Sequence, residues 1–457
     1  MRRVVITGAG AVTPIGSGME TFWRQCLDGQ TSVDSIPPQW LDYAKYTSTI
    51  RAPLPDSLIP DTHISRIEKL QLDRVSIIAI EAACEALTNA GYYLKLRDEK
   101  KNIFVSEQLD GQRTGVFMGT GIGGAYSFLG NNAHQIVSRS KKNIRKLASQ
   151  LQEKQLDSQA KQAFDIDESM MMPARFNPFV VSMIMPNAVS ANTGIKLGLR
   201  AENETICCAC ASGTVAVGKA FEAIRAGKLD TAVAGGAEYV HDEYGGIFRG
   251  FDSAKTLVQN CDYPQTANRP FDRDRSGFLF AQGAGAALVL EERNQALKRD
   301  APVIAEVIGF QQSFDAHNIM IMEPRGSAIE SMIRKCLAEA GIPTENIDYI
   351  NAHGTGTQVN DSVEAAVIER VFGRRPAINS TKSLVGHTIG ASGAIEAAVT
   401  ALSLHHGMVH PSLNLDNPVA PLNFIHKKTV IPMKYALSQS FAFGGHNAVL
   451  AMTKHQI

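Results

Sequence analysis

The sequence predicts an α/β fold built from two related halves. Short runs of β-branched residues alternate with stretches of helical periodicity along the 457-residue chain. The order of these elements repeats once: an opening strand, a helix, a strand ending in a glycine turn, another strand, a long helix of small residues and a Gly-rich hairpin. We place the boundary so that residues 1–275 and 276–457 form the two halves.

The individual elements follow from local patterns. The chain opens with a strand at residues 3–7, because its apolar run is shorter than the core of roughly 7–15 residues that a signal peptide needs. A helix is predicted at 72–90, where Val75, Ile78 and Ala82 share one face and Gly91 fits a C-terminal cap. Further strands are predicted at 115–118, 231–234 and 349–352, and further helices at 212–226, 327–340, 361–372 and 391–405.

Two polar segments interrupt this plan. Residues 94–112 and 130–172 are rich in charged and amide side chains. Charge runs of this kind are typical of solvated faces. We predict that both segments are surface insertions in the first half, the second with helical content.

Composition excludes several classes of protein. Lys and Arg together number 45, as do Asp and Glu, so the formal net charge is zero. That balance argues against nucleic-acid binding but allows a local basic patch for an acidic partner. No apolar run approaches the roughly 18 residues of a membrane span. The seven scattered cysteines indicate reduced thiols, and therefore a cytoplasmic protein.

The most informative segment covers residues 206–214. A β-branched strand leads into small residues and then a helix, which places Cys210 at the helix N-terminus. Free backbone N–H groups and the helix dipole there favour a thiolate and bind a developing oxyanion. The pattern alone also fits a buried structural cysteine, and Cys207 and Cys208 are close rivals as nucleophiles.

Three later segments carry further candidates. His353 follows a strand and lies among small residues that leave its ring exposed, although a histidine in this position is commonly structural. Lys382 and His387 stand five residues apart in a loop before a helix. Phe443 begins a glycine turn after an apolar strand.

Together, these four segments resemble the β-ketoacyl synthase family, in particular type II fatty-acid synthase II enzymes and polyketide ketosynthases. The resemblance extends over almost the whole chain and includes residues 177–179, 185–187, 235–238 and 269–272. It implies a thiolase-type five-layer α-β-α-β-α fold, with a mixed five-stranded sheet in each half. It also implies an acyltransferase that requires no metal or cofactor.

The resemblance assigns roles position by position. Cys210 matches the nucleophile, His353 and His387 match a catalytic histidine pair, and Lys382 matches the active-site lysine. Supporting acids are Glu396 beside the lysine, and Asp361 and Glu364 behind His353. Phe443 matches a gate whose backbone N–H, with that of Cys210, would form an oxyanion hole, and Ile122, Phe251 and Phe443 would line the acyl pocket.

The implied reaction is a decarboxylative Claisen condensation between acyl-Cys210 and malonyl carried on the phosphopantetheine of acyl carrier protein, in fatty-acid or polyketide chain elongation. The implied carrier-docking residues are Arg66, Lys69, Arg175 and Lys255. The active unit is expected to be a homodimer or a heterodimer with a related synthase subunit. The alternative, a non-catalytic chain-length partner, conflicts with the presence of Cys210 and both histidines.

Four positions depart from the family pattern. Cys208 stands where Thr is common, Gln282 where Glu is usual, Ala442 where Gly is usual and His446 where Thr is usual. Alanine has fewer backbone conformations than glycine, so we expect Ala442 to restrict the gate. We expect His446 to bring a third imidazole near the site.

Overall fold

The computed structural model describes residues 1–170, 172 and 175–455. Its strands, in chain order, are β1 (Val4–Thr13), β2 (Gly16–Ser17), β3 (Asp34–Ser35), β4 (Ile50–Arg51), β5 (Lys95–Asp98), β6 (Ile103–Val105), β7 (Thr114–Gly119), β8 (Asn203–Ile206), β9 (Thr231–Tyr239), β10 (Gly283–Glu292), β11 (Ala305–Phe314), β12 (Tyr349–Asn351), β13 (Ala377–Asn379), β14 (Met408–Val409), β15 (Thr429–Val430), β16 (Tyr435–Phe441) and β17 (His446–Lys454).

The α-helices are α1 (Met19–Leu27), α2 (Glu68–Gln71), α3 (Arg74–Asn89), α4 (Ala125–Glu153), α5 (Asp157–Ser169), α6 (Val180–Ile184), α7 (Ala188–Leu197), α8 (Ser212–Arg225), α9 (Gly246–Ser253), α10 (Arg293–Lys298), α11 (Ser327–Ala340), α12 (Gln358–Phe372), α13 (Lys382–Val385) and α14 (Ser392–His406). None of the described helices is long and apolar enough to cross a membrane. The predicted helix at 72–90 corresponds to α3, which Asp73 caps by accepting the Val75 N–H.

The main sheet contains two arrays of five strands with the same pairing pattern. The first array runs β1, β10, β9, β7, β8, and the second runs β11, β17, β16, β12, β13. In each array the first two pairings are antiparallel and the last two are parallel. Antiparallel pairing of β1 with β11 joins the arrays. The repeat inferred from element order is therefore present strand by strand.

Even a local irregularity recurs. The register of β1 on β10 shifts between Ile6 and Gly8, and the register of β11 on β17 shifts between Val307 and Gly309. Each shift lies near the start of the opening strand of its array. A bulge bends the strand that carries it, so both opening strands bend at equivalent positions.

Three layers of helices pack against the two arrays, which gives the five layers predicted. The central hydrophobic cluster joins α8 and α14 to strands of both arrays. A second cluster places α3 and α7 on the outer face of the first array, and a third places α11 and α12 on the outer face of the second. On β10, Ala286 and Leu288 face the centre while Ala287 and Val289 face outward. Each array is buried on both faces, which explains its nearly continuous apolar strands.

The central helices approach each other through glycine. A methyl group on Gly213 would lie 2.6 Å from the Ala394 nitrogen, and one on Gly393 would lie 2.6 Å from the Thr214 nitrogen. Both contacts are too short for a side chain. The two helix starts, which carry Cys210 and follow His387, are thereby held against each other.

The division between halves falls later in the pairing pattern than the predicted boundary at residue 275. Strand β10 pairs with β1 and β9 and so belongs to the first array, whereas β11 opens the second. The change of array therefore lies between Glu292 and Ala305. Within the predicted insertions, 94–112 contains the β5–β6 hairpin, and 130–172 contains most of α4 and all of α5.

Candidate active site

Cys210 lies in a tight turn between β8 and α8. Ala209 adopts a left-handed conformation, with φ of 45°, and the turn over Ala209–Ala211 leads directly into the helix. The Ser212 hydroxyl accepts the Cys208 N–H at 2.8 Å and secures this turn. Cys210 is 4% exposed. The predicted position at a helix start is thus correct, and Cys207 and Cys208 precede the turn.

His387 reaches Cys210 from the second half. Its Nε2 lies 3.1 Å from the Cys210 Sγ. On the other side of the ring, Nδ1 accepts the backbone N–H of Ile389 at 3.2 Å, and the Ser392 hydroxyl lies 3.0 Å away. A neutral imidazole that accepts at Nδ1 carries its proton on Nε2. The geometry therefore directs an N–H donor toward the sulfur.

His353 is held in the same tautomer by a lysine. The Lys382 Nζ lies 3.1 Å from the His353 Nδ1 and donates to the His353 carbonyl at 2.7 Å. Its third proton is directed to the Glu396 carboxylate. An ammonium has three protons and no acceptor, so these three partners satisfy it fully. The His353 Nδ1 must accept, which leaves its proton on Nε2.

Both imidazoles are neutral in this environment. Burial and the Lys382 charge together hold the pKa of each ring well below its ordinary value. The His353 and His387 rings meet edge to face, with centroids 5.6 Å apart. The site thus contains two neutral N–H donors beside one thiol. Burial raises the pKa of the Glu396 carboxyl to about 7, although Lys382 acts in the opposite direction.

The thiol itself is protonated at neutral pH. Burial raises the pKa of Cys210 to about 11, while Lys382 and the backbone N–H groups of Phe443 and Cys210 act to lower it. The same two N–H groups are the ones that the resemblance assigns to an oxyanion hole, and this assignment stays a prediction. They would stabilise a negative charge that develops beside Cys210.

Asp361 and Glu364 shape the loop that carries His353. Glu364 accepts the N–H groups of His353 and Gly354, each at 2.8 Å. Asp361 accepts the N–H groups of Thr355 and Gly356 at 3.1 Å. Burial raises the pKa of Glu364 to about 8. Within the described residues, no cluster of side chains has the arrangement of a metal site.

A cavity of about 250 Å³ leads to these groups. Cys210, His353 and His387 line its inner end, and the exposed Lys255 and Val359 line its outer part. Phe443 also lines it, at the turn that follows β16. The cavity therefore gives a thioester access to the thiol and to both imidazoles.

The three residues predicted to line the acyl pocket do not all line the cavity that leads to Cys210. Phe443 lines the cavity, whereas Ile122 is 44% exposed and neither it nor Phe251 lines the described cavity. Phe251 packs edge to face on Phe278, whose ring contacts His387. An aromatic cluster thus fills the space behind the gate. Its assignment as an acyl pocket stays a prediction.

Three of the four positions that depart from the family pattern, Gln282, Ala442 and His446, have defined surroundings in the structure. Ala442 is extended, with φ of −122°, a conformation open to any residue, so the expected restriction is not visible as strain. The positive φ angles fall on Gly444 and Gly445. His446 is exposed and packs on Phe314 at 5.2 Å, outside the cavity lining. Gln282 accepts from Arg51 and donates to Tyr239.

The four candidate docking residues are exposed but do not form one cluster. Lys255 lies at the cavity mouth, while Lys69 and Arg175 line a separate surface groove. Lys69 also forms an ion pair with Asp61. Arg66 is exposed beside α2.

Sequence reasoning gave no role to Glu238 or Ser392. Ser392 contacts His387, as described above. Glu238 is fully buried and accepts hydrogen bonds from both halves. In the sequence it is only the last residue of the 235–238 motif. Its partners are three backbone N–H groups and the Thr120 hydroxyl, which folding brings together and no sequence pattern reveals.

Comparison with known proteins agrees with this geometry. Residues 1–296 match the family model of the Beta-ketoacyl synthase, N-terminal domain, and residues 304–416 match that of the Beta-ketoacyl synthase, C-terminal domain. The chain belongs to the β-ketoacyl synthase family. This membership confirms the resemblance given by the four segments.

Individual relatives of this β-ketoacyl synthase cover its full length. The chain is 32% identical to a 3-oxoacyl-[acyl-carrier-protein] synthase 2 of Synechocystis sp., over 100% of this chain and 99% of that one. A crystal structure of a Beta-ketoacyl synthase from Burkholderia phymatum is 30% identical, covers 100% of both chains and has a TM-score of 0.79. A type II polyketide ketosynthase in complex with its acyl-carrier protein is 25% identical, covers 99% of this chain and 100% of that one, and has a TM-score of 0.78. The predicted fold class is confirmed.

Proposed function

We propose that this protein is a β-ketoacyl-[acyl-carrier-protein] synthase that joins an acyl group on Cys210 to a malonyl unit with loss of CO₂. The observation that carries this proposal is the pair of neutral imidazoles. Each accepts a hydrogen bond at Nδ1 and therefore carries its proton on Nε2, beside a buried thiol. This arrangement suits stabilisation of an enolate oxygen.

In the first half-reaction, the Cys210 sulfur attacks the carbonyl carbon of a carrier-bound acyl thioester. A new sulfur–carbon bond forms, and the carrier thiol leaves with the proton that Cys210 gave up. The N–H groups of Phe443 and Cys210, which act to lower the pKa of the thiol, would hold the oxyanion that forms on the carbonyl oxygen. The product is acyl-Cys210 and free carrier thiol.

In the second half-reaction, the carbon–carbon bond to the malonyl carboxylate breaks and CO₂ leaves. The electron pair remains as an enolate, whose oxygen accepts the Nε2–H groups of His353 and His387. The enolate carbon then attacks the acyl-Cys210 carbonyl, and the Cys210 sulfur leaves as a thiolate that takes up a proton from water to restore the thiol. Atoms and electrons balance without a metal or redox cofactor, so we expect none.

Mass spectrometry of the intact protein tests this proposal. Incubation with a panel of acyl-carrier thioesters should add one acyl mass, which subsequent malonyl-carrier should remove. The matched control is Cys210→Ala, which should remain unmodified. A wild-type protein that no acyl-carrier thioester acylates would favour the non-catalytic chain-length partner instead.

The carrier is an acidic partner in this proposal, and exposed cations would guide it. Arg66, Lys69, Arg175 and Lys255 are the docking candidates. Reversing the charge of Lys255 and Arg175 together should raise the KM for acyl-carrier but leave transfer from a small acyl thioester nearly unchanged. Lys335→Glu, on the exposed face of α11, is the matched control. An equal loss with both acyl donors would contradict docking.

We further propose that the chain acts as a dimer in a reducing cytoplasm. Strand β8 is the outermost strand of its array, and Asn203 and Glu204 on it are exposed. An unpaired edge strand is a template for association. The described cysteines are all unpaired, as expected for that compartment. Light scattering should give twice the 49.4 kDa chain mass. A monomer that dimerises only with a related synthase subunit would indicate a heterodimer.

A further inference from the structure

Glu238 is a buried carboxylate that the reaction above does not use. It stands near the end of β9 and is 0% exposed. Its Oε2 accepts the Gly121 N–H at 2.6 Å and the Gly390 N–H at 3.0 Å. Its Oε1 accepts the Thr120 hydroxyl at 3.2 Å and the Ile122 N–H at 3.3 Å. Among the described residues it forms no ion pair.

The donors around Glu238 suit the ionised form. Three of them are backbone N–H groups. The fourth, the Thr120 hydroxyl, accepts the Gly123 N–H at 3.2 Å and so directs its own proton to Glu238. A buried carboxylate is tolerated where its oxygens accept several hydrogen bonds. Burial nevertheless raises the pKa of Glu238 to about 7.

The contact joins the two halves and requires glycine on both sides. A methyl group on Gly121 would lie 2.6 Å from the Glu238 Oε2. A methyl group on Gly390 would lie 2.7 Å from the same oxygen and 2.3 Å from the Gly121 nitrogen. Gly121 belongs to the first half and Gly390 to the second. The carboxylate therefore occupies a space that two glycines leave open.

The same contact leads directly to His387. Ile389 has a left-handed backbone, with φ of 48°, and donates its N–H to the His387 Nδ1. Gly390 is the next residue in the chain. That hydrogen bond sets the tautomer that directs Nε2–H toward Cys210. Glu238 thus anchors, from the first half, the turn that orients a histidine of the second half.

We propose that Glu238 is a positioning residue, whose carboxylate joins the two halves behind Cys210 and holds the 389–390 turn that fixes His387. It touches no reacting atom. Its effect on turnover rests on the proposed function, since it acts through His387. The effect of Glu238 on the pKa of the Cys210 thiol does not rest on the proposed function, because that pKa can be measured without substrate.

The charge of Glu238 has a second effect that can be tested independently of turnover, namely a shift in the pKa of the Cys210 thiol. His353 and His387 line the cavity together with Cys210, and the charges that act on its thiol are those of Lys382 and Glu238. Lys382 lowers the pKa of the thiol, whereas Glu238 raises it. Cys207 also lies near Glu238, and its pKa is raised first by burial and then by that charge. A purely structural residue would not shift the thiol titration.

Two variants separate geometry from charge. Glu238→Gln keeps the size but removes the charge and turns a donor toward the backbone N–H groups. Glu238→Asp keeps the charge but shortens the reach. Both should slow CO₂ release from malonyl-carrier by roughly tenfold or more, because hydrogen bonds to a buried charged group are lost. Only Glu238→Gln should shift iodoacetamide alkylation of Cys210, followed by peptide mass spectrometry, to lower pH.

Glu81→Gln is the matched control, because Glu81 is also a buried carboxylate but bonds His63 on the outer side of the first array. It should leave both readouts unchanged. The proposal is overturned if both Glu238 variants release CO₂ at the wild-type rate, or if the Glu238→Gln alkylation profile superimposes on that of the wild type. If Glu238→Gln does not fold, CO₂ release by Glu238→Asp decides. If the wild type releases no CO₂, the proposed function fails, while the alkylation profiles still test Glu238.

Discussion

In the first half, left-handed Ala209 precedes Cys210 and the α8 helix. In the second half, left-handed Ile389 precedes Gly390 and the α14 helix. The next three residues are Ala-Ser-Gly in both cases. The backbone turn is therefore common to both halves, whereas only the first half carries a thiol at this turn.

The strand ends show the complementary difference. Gly119 of β7 pairs with Ile206 of β8, and Asn351 of β12 pairs with Asn379 of β13. Two residues beyond these equivalent pairs stand Gly121 in the first half and His353 in the second. At this position the first half thus offers only the backbone N–H of a glycine, whereas the second half offers an imidazole. The site forms where the thiol of one half faces the imidazoles of the other.

The largest effect should follow removal of the thiol. Cys210→Ala makes the first helix start resemble the second and removes the group that holds the acyl chain. Condensation should fall by at least about 10⁴-fold, as when other covalent nucleophiles are removed. Cys207→Ala and Cys208→Ala, measured in the same acyl-loading assay, should retain activity. Acylation mapped to Cys207 or Cys208 would refute the assignment.

The histidines should fail differently from the cysteine. His353→Ala and His387→Ala each remove one N–H donor from the enolate, so CO₂ release should fall by about 10²–10³. Loading of Cys210 precedes that charge and should persist. Radiolabelled acyl loading and labelled CO₂ release separate the two steps. Variants that decarboxylate normally yet cannot be acylated would show that the pair activates the thiol instead.

A third prediction concerns the uneven distribution of histidine, since nine of the twelve follow residue 300. His410 is buried, and burial lowers its pKa to about 4, below its unfolded value of 6.5. Its neutral form contributes stability above pH 6.5 that is lost as the pH falls toward 4. Relative to His410→Gln, the free energy of unfolding of the wild type should fall by about 2 kcal/mol between pH 7 and pH 5.

Urea unfolding of both proteins at the two pH values gives this difference directly. His405→Gln is the control, because that ring is exposed at the end of α14. A stability difference between wild type and His410→Gln that does not change with pH would contradict a buried neutral imidazole.

Much of this organisation was accessible from sequence. The helix start at Cys210 and the strand before His353 follow from local patterns, and the family resemblance supplied the roles. The predicted boundary at residue 275 precedes the change of array, because β10 completes the first array only by pairing with β1 at the far end of that half. The expected effects of Ala442 and His446 depended on backbone torsion and side-chain direction, which the residue types do not fix.

The smallest expected effect tests how charged residues of the two halves shift the pKa of Cys210. Lys382, in the second half, lowers the pKa of Cys210, so its removal should leave less thiolate at any pH below about 11. Lys382→Met should therefore slow iodoacetamide alkylation of Cys210 at pH 8.5 by roughly threefold to tenfold. Glu396→Gln is the matched control, since it disturbs the same ion pair but leaves the ammonium near the thiol. Circular dichroism should first establish that both variants are folded. Faster alkylation in Lys382→Met would mean that the Lys382 ammonium raises the pKa of the Cys210 thiol, which would contradict the direction predicted for its charge.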